Sequence, residues 1–218
     1  MGTQPGQPPV DRVQTEFARR VDGVVIWIAR HWLALFNSVV GVYLLLPVVA
    51  PALASAGLTA QASLIYSAYS VTCHQLPDRS YFLFGERPLY SLSALQAEGL
   101  EEDAGLFQRR RFRGNEASGY KIAICQRDVA IYGSVVLAGL LFGLLRGRMR
   151  SPSLKIYLLL LVPMALDGLS QLFGLRESNW WLRTVTGGLF GGASVWLAYP
   201  YLDAAMRDVI RAEEMLAR

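Results

Sequence analysis

Residues 33–50 read LALFNSVVGVYLLLPVVA, a run of eighteen positions with no charged side chain. An apolar helix of ~20 residues is what crosses the hydrocarbon core of a bilayer. This stretch therefore reads as a membrane span. Pro47 and Pro51 are expected to kink or end it, because proline removes a backbone donor and crowds the preceding turn. Further along, 128–145, 154–173 and 184–202 repeat the pattern. The expectation is an all-α, polytopic membrane helical bundle of about four transmembrane helices, with a transmembrane domain over 32–202.

The flanks fit that reading. Residues 1–10 are rich in Gly, Pro and Gln and read as disordered. They lack the basic start, short apolar core and small-residue cleavage site of a signal peptide, so the first span is expected to be an uncleaved anchor. In 11–31, Val13, Phe17, Val21, Val24 and Ile28 recur at helical spacing between Arg12, Arg19, Arg20 and Arg30. That is the signature of an amphipathic helix lying on the membrane surface. A polar helix is expected over 203–218. Between the first two spans lies a loop, 58–127. In it, 59–71 reads as a short helix or re-entrant piece, and 93–119 as a solvated loop or a docking site for a partner. There, Glu98, Glu101, Glu102 and Asp103 precede Arg109, Arg110, Arg111 and Arg113.

Composition agrees. The chain has 218 residues, 53% hydrophobic and 17% charged. Soluble domains run nearer a quarter charged. The net charge of +4 is spread between apolar runs rather than along one face, which argues against nucleic acid as a partner. Arg146, Arg148, Arg150 and Lys155 crowd the connection between the second and third spans with no acid. By the positive-inside rule that connection is cytoplasmic, and both termini with it. Trp180 and Trp181 then suit the outer interface, and Tyr157, Tyr199 and Tyr201 the inner one. The chain is expected to be a multi-pass protein of the cell (inner or plasma) membrane of a bacterium.

This topology gathers the polar residues of the spans on the outer side. Asp167, Ser170, Gln171 and Gly174 share one helix face. An acid within a span is costly and usually has a role. Asp167 is either functional or a packing residue paired with an arginine such as Arg127 or Arg183. Arg176, Glu177, Ser178 and Asn179 follow, with Ser178 or Asn179 placed to cap the last span. Asp128 sits in the first turn of the second span, where the helix dipole favours an acid. Candidates for acid–base chemistry are Asp167, Glu177, Asp128 and His74. Candidates for binding are Arg79, Arg127, Arg176, Arg183, Gln75, Gln171 and Asn179, because arginine forks suit phosphate and carboxylate.

The two cysteines leave three readings open. Cys73, His74, Cys125 and Asp128 could form a mixed metal site. A Cys73–Cys125 disulfide would close a loop of roughly 50 residues and contribute about 4 kcal/mol in the chain-entropy model. Inert buried thiols are the third. The pairs Gly139/Gly143, Gly187/Gly191 and Gly188/Gly192 mark close helix packing, within the subunit or in a homo-oligomer or membrane complex.

Four stretches resemble the bacterial and archaeal membrane family DUF2085, a domain of unknown function. Cys73-His74-Gln75-x-Pro77-x-Arg79-Ser80 is similar to its Cys-His-Gln-x-Pro-x-Arg-Ser signature, and Cys125-x-Arg127-Asp128 with Ile131-Tyr132 to its second block. Asp167-Gly168-x-x-Gln171-x-x-Gly174-x-Arg176-Glu177-Ser178-Asn179 resembles the third, which Arg183-x-x-x-Gly187 continues. Many members carry a cysteine where this chain has Asp128 and a glycine where it has Ala130, and the 93–119 loop is long for the family. The resemblance implies a multi-span membrane protein and no particular reaction. Three functions compete on the residues: a site for an anionic lipid or polyprenyl-phosphate headgroup, a non-catalytic subunit of a larger membrane complex, and a metal or redox site at Cys73, His74 and Cys125.

Overall fold

The computed structural model describes residues 9–216. Most of the expected disordered segment, 1–10, lies outside them. The first helix, α1, runs unbroken from Pro9 to Ser55, 47 residues. The expected surface helix over 11–31 and the first span are thus one element. Nor do the prolines end it. Pro47 and Pro51 leave the carbonyls of Tyr43 and Pro47 without their helical donors. The Tyr69 hydroxyl donates to the first at 2.8 Å and the Ala123 N–H to the second at 3.2 Å. Two donors from the neighbouring layer replace those the prolines remove.

Three more long helices complete the bundle: α5 (Gln126–Leu145), α6 (Leu154–Leu172) and α7 (Trp180–Leu216). Among the described residues, three helical stretches are long and apolar enough to cross a membrane: Arg19–Ser55, Gln126–Leu145 and Leu154–Leu172. The expected fourth span, 184–202, lies in α7. That helix is long enough, but its Gly, Ser, Thr and Tyr content makes it less apolar than the others. Those small residues let it pack tightly instead. It runs parallel to α5, with Arg183 beside Gln126 and Asp203 beside Arg146. A side chain added at Gly187 would meet the Arg127 carbonyl at 2.9 Å, and one at Gly191 would collide with Ser134 and the Ile131 carbonyl. Small residues at such contacts let backbones approach. Helix α6 packs mainly on α7, and α1 lies antiparallel to α5, with Asn37 against Gly139.

The outward face is apolar. Leu144 is 84% exposed, Leu159 69% and Val39 68%. Exposed aliphatics in such number belong in lipid rather than water. The inner core is aromatic: Tyr199 meets Trp32 and Phe142 edge to face, its ring centroid 5.3 Å from the first and 5.5 Å from the second. Tyr199 is therefore buried, its hydroxyl on Asn37, and not an interfacial anchor. At this end α7 continues past Asp203 without the break expected for a separate C-terminal helix. Asp203 is itself buried, paired with Arg146 and with Arg207 at 2.8 Å.

Residues 58–125 are a folded cap: the short helix expected over 59–71 is present as α2 (Thr59–Tyr69), and 93–119, expected as a solvated loop or a docking site, carries helices and strands of its own. Besides α2, the cap comprises a single 3-10 turn (Pro77–Arg79), β1 (Phe82–Leu83), α3 (Leu92–Ala97), α4 (Leu106–Arg111), β2 (Gly114–Asn115) and β3 (Gly119–Lys121). The strands form a small antiparallel sheet in the order β1-β3-β2, with Phe82 opposite Lys121. Phe82, Tyr90, Leu95 and Leu100, scattered along the chain, close a small core of their own. Gly119 has φ +71 and lies against the Leu83 carbonyl, a position no side chain could occupy.

Candidate functional site

Strand β3 leads through buried Ile122, Ala123 and Ile124 to Cys125, which caps the N-terminus of α5. That places Arg127 and Asp128 in the first turn. The segment after α2 brings Cys73, His74 and Arg79 to the same end of the bundle. The C-terminal turn of α6 and the first turn of α7 bring Gln171 and Arg183. These residues, with Thr72, line a cavity of about 160 Å³. It lies at the opposite end of the bundle from Arg146.

Asp167 sits beneath it, 1% exposed. Arg127 pairs with its Oδ2, Arg176 Nη2 with its Oδ1 at 2.8 Å, and the Ser178 hydroxyl donates to Oδ2 at 3.0 Å. Arg176 also donates to Ser170 Oγ at 3.0 Å. The partners of Asp167 are thus Arg127 and Arg176. Arg183 instead donates to Gln126 Oε1 at 3.1 Å. Arg79 donates to Gln171 Oε1 at 2.9 Å and shares Asp78 with Arg109.

Donors remain. Among the described residues, the Nε atoms of Arg127 and Arg183, and Nε2 of Gln171, are buried without a hydrogen-bond partner, whereas Nε of Arg79 faces Asp78 Oδ2 at 3.5 Å. Buried polar groups are nearly always satisfied, so three such donors on residues around one cavity call for an acceptor. A separate groove of about 410 Å³ is lined by Leu161, Met164, Ala165, Gly168 and Leu169 of α6 and Phe190 of α7. Arg127 lines it as well as the polar cavity.

Cys73 and Cys125 are free, buried thiols, so no disulfide joins them. Their sulfurs and a carboxylate oxygen of Asp128 lie within 4.8 Å of one another. Cys73 Sγ accepts the N–H of Cys125 at 3.2 Å and of Gln75 at 3.5 Å. The hydrogen bond from Cys73, and then the neighbouring His74, hold Cys125 well below the ordinary thiol range despite its burial. The same bond, with burial, pushes Cys73 up. His74 Nδ1 accepts the Leu76 N–H at 3.1 Å, which leaves the ring proton on Nε2.

Some expected residues stand elsewhere. Gln75 is buried outside the cavity, its Nε2 donating to the Tyr66 carbonyl at 2.8 Å. Asn179 caps α7, its Oδ1 accepting the Leu182 N–H at 3.0 Å. Glu177 is exposed on the α6–α7 connection.

Lys121 was not visible as a site residue from sequence. It is fully buried, and its Nζ donates to the carbonyls of Gln75 at 2.6 Å and Arg110 at 2.7 Å. It ties the Cys73 segment to α4 and β3. Burial lowers its amine to about 7. An unfolded lysine titrates near ~10.4. Below pH 7 the fold therefore carries the cost of a buried ammonium, and that cost fades as pH rises toward 10. Stability should rise over that interval, by at most ~1.4 kcal/mol per pH unit from this group. Thermal midpoints in detergent should show the slope, and Lys121→Met should flatten it.

Fold and site together define a polytopic helical membrane protein with a capped polar cavity at one end of its bundle. The chain matches the model of a family described as "Predicted membrane protein (DUF2085)" over residues 109–197, which bears out the resemblance read from its motifs. That segment contains the Cys125, Asp167 and Arg183 blocks. An uncharacterized protein of the archaeon Methanocaldococcus jannaschii is 29% identical over 138 residues, 62% of this chain and 67% of that protein. No solved structure matches the chain.

Proposed function

We propose that the cavity binds the phosphate-type headgroup of a membrane lipid, such as a polyprenyl phosphate, with the chain of that lipid along the groove of α6 and α7. The observation that carries the reading is Arg127, which lines both the donor-rich cavity and the apolar groove. A ligand filling both must be anionic at one end and hydrocarbon at the other. The lining holds three guanidiniums and one carboxylate; Asp78 and Asp167 pair with Arg79 and Arg127, and among the described residues Arg183 has no carboxylate partner. Arginine forks suit phosphate oxygens. The positive-inside rule, with the basic turn at Arg146–Arg150 cytoplasmic, puts this end on the outer face of the cell membrane.

The test is a titration of purified protein in lipid nanodiscs with a polyprenyl phosphate and with the corresponding alcohol. The phosphate should bind and the alcohol should not. Arg183→Ala and Arg79→Ala should each weaken binding about ten- to a hundredfold, the worth of a charge-assisted hydrogen bond of about 1.5–3 kcal/mol. Arg150→Ala, at the far end, should leave it unchanged. Equal binding of phosphate and alcohol would overturn the reading.

A second reading, as a subunit of a larger membrane complex, is favoured by one feature. Gly188 and Gly192 face open space, with nothing within 4 Å of an added side chain. Purification from native membranes in mild detergent as a monodisperse monomer without partners would remove it.

A further inference from the structure

We propose that Cys73, Cys125 and Asp128 bind a thiophilic divalent transition metal of the zinc type, with a coordination position left open to the arginine-lined cavity. The three ligand atoms lie within 4.8 Å of one another. A tetrahedral ion with bonds of about 2.0–2.3 Å holds its ligand atoms roughly 3.3–3.8 Å apart. Small side-chain rotations therefore close the set around an ion. The ligands come from two segments that the fold fixes independently. Cys73 follows α2, whereas Cys125 and Asp128 flank the first turn of α5 at i and i+3. Two sulfurs and a carboxylate favour zinc over the hard cations magnesium and calcium.

The backbone around Cys73 points two donors at its sulfur. Its sulfur receives two N–H groups, from Cys125 and Gln75. Gln75 has φ +50, a left-handed conformation uncommon outside glycine. That turn, locked by Lys121 on the Gln75 carbonyl, aims its N–H at the sulfur. Donors of this kind orient and stabilise metal-bound ligands.

His74 does not complete the set. Its Nδ1 is engaged by the Leu76 N–H and its Nε2 carries the proton. Three protein ligands with one open position is the pattern of zinc sites that bind a water or substrate oxygen. Arg79, Arg127 and Arg183 line the same cavity, so an anionic oxygen on the ion would face guanidinium donors. The metal site itself stands without the headgroup reading.

The test uses the whole protein in detergent, stripped with a chelator and titrated with Co²⁺ and Zn²⁺. One ion per chain is expected by elemental analysis, with a near-ultraviolet thiolate-to-cobalt band. C73S and C125S should each diminish that band, and D128N should weaken binding about 10–100-fold or more, at least the loss seen for outer partners of metal ligands. H74A should keep the stoichiometry, and loss of the ion in it would overturn the open three-residue set. Thiol alkylation of the unaltered protein needs no variant: zinc should protect both cysteines and chelation should release them. Equal alkylation with and without zinc, or a Cys73–Cys125 disulfide in freshly purified protein, would overturn the proposal. Lipid titrations on the zinc-free protein separate the two readings. Metal bound without lipid retains this site and removes the headgroup, and lipid bound without metal does the reverse.

Discussion

Asp167→Ala is expected to destabilise the protein by about 3–5 kcal/mol, the cost of stripping one partner from a buried ion pair. The carboxylate is 1% exposed and receives Arg127, Arg176 and Ser178. Its removal leaves Arg127, 19% exposed, without a carboxylate partner at the capped end of the bundle. Arg176, 44% exposed, can turn to water. The loss should therefore couple to Arg127 more strongly than to Arg176. A double-mutant cycle on thermal or chemical unfolding in detergent reads this directly. Asp167→Asn should cost less, because it keeps an acceptor for Ser178. Glu177→Ala, on an exposed neighbour, should be near neutral. If Asp167→Ala proved as mild as Glu177→Ala, the ion-pair centre would not hold the α5, α6 and α7 ends together.

Gly191→Leu should be comparably damaging for a different reason. Its side chain would enter the space held by Ser134 Oγ and the Ile131 carbonyl of α5. A backbone carbonyl cannot swing aside as a flexible side chain can. Overpacking a filled core costs about 1–3 kcal/mol and occasionally more. Here helix α7 must lift from α5, and α6, which packs mainly on α7, goes with it. The upper end of that range or beyond is expected. Gly188→Leu, facing open space, is the matched control and should leave the unfolding midpoint nearly unchanged. Equal effects at the two glycines would mean that α5 and α7 do not meet as described.

How far the sequence reaches differs from element to element. The apolar runs of α5 and α6 are legible to within a few residues, because few charges interrupt them and a run of that length and apolarity suits a membrane helix. The α1 boundary is not. Prolines argue for a break, and only the tertiary fold supplies Tyr69 and Ala123 to the carbonyls they free. The cap is least legible. Its small core joins Phe82 to Tyr90, Leu95 and Leu100, residues too far apart to make a periodic signal.

The site divides in the same way. Arg79, Arg127, Gln171, Arg183, Cys73, His74, Cys125 and Asp128 could be singled out as polar residues at the ends of apolar runs, and they do meet. Gln75 and Asn179 looked equivalent in sequence but are spent on backbone groups. Lys121 and Asp203 carry no such signal. A lone lysine in a loop and an acid at a helix end read as surface residues until burial is known.

The groove along α6 has a bearing on how any ligand arrives. It is walled by Leu161, Met164, Leu169 and Phe190 and reaches Arg127 from the flank of the bundle. Under the proposed reading, a molecule drifting in the leaflet enters sideways, tail and head together, without first leaving the bilayer. Its supply is then governed by surface density, the fraction of the surrounding lipids it makes up, rather than by concentration in water. Diluting the sample in buffer would not empty the site, whereas diluting the membrane with neutral lipid would. A short water-soluble phosphate would have to forgo the groove and compete at a disadvantage set by the length of its missing tail.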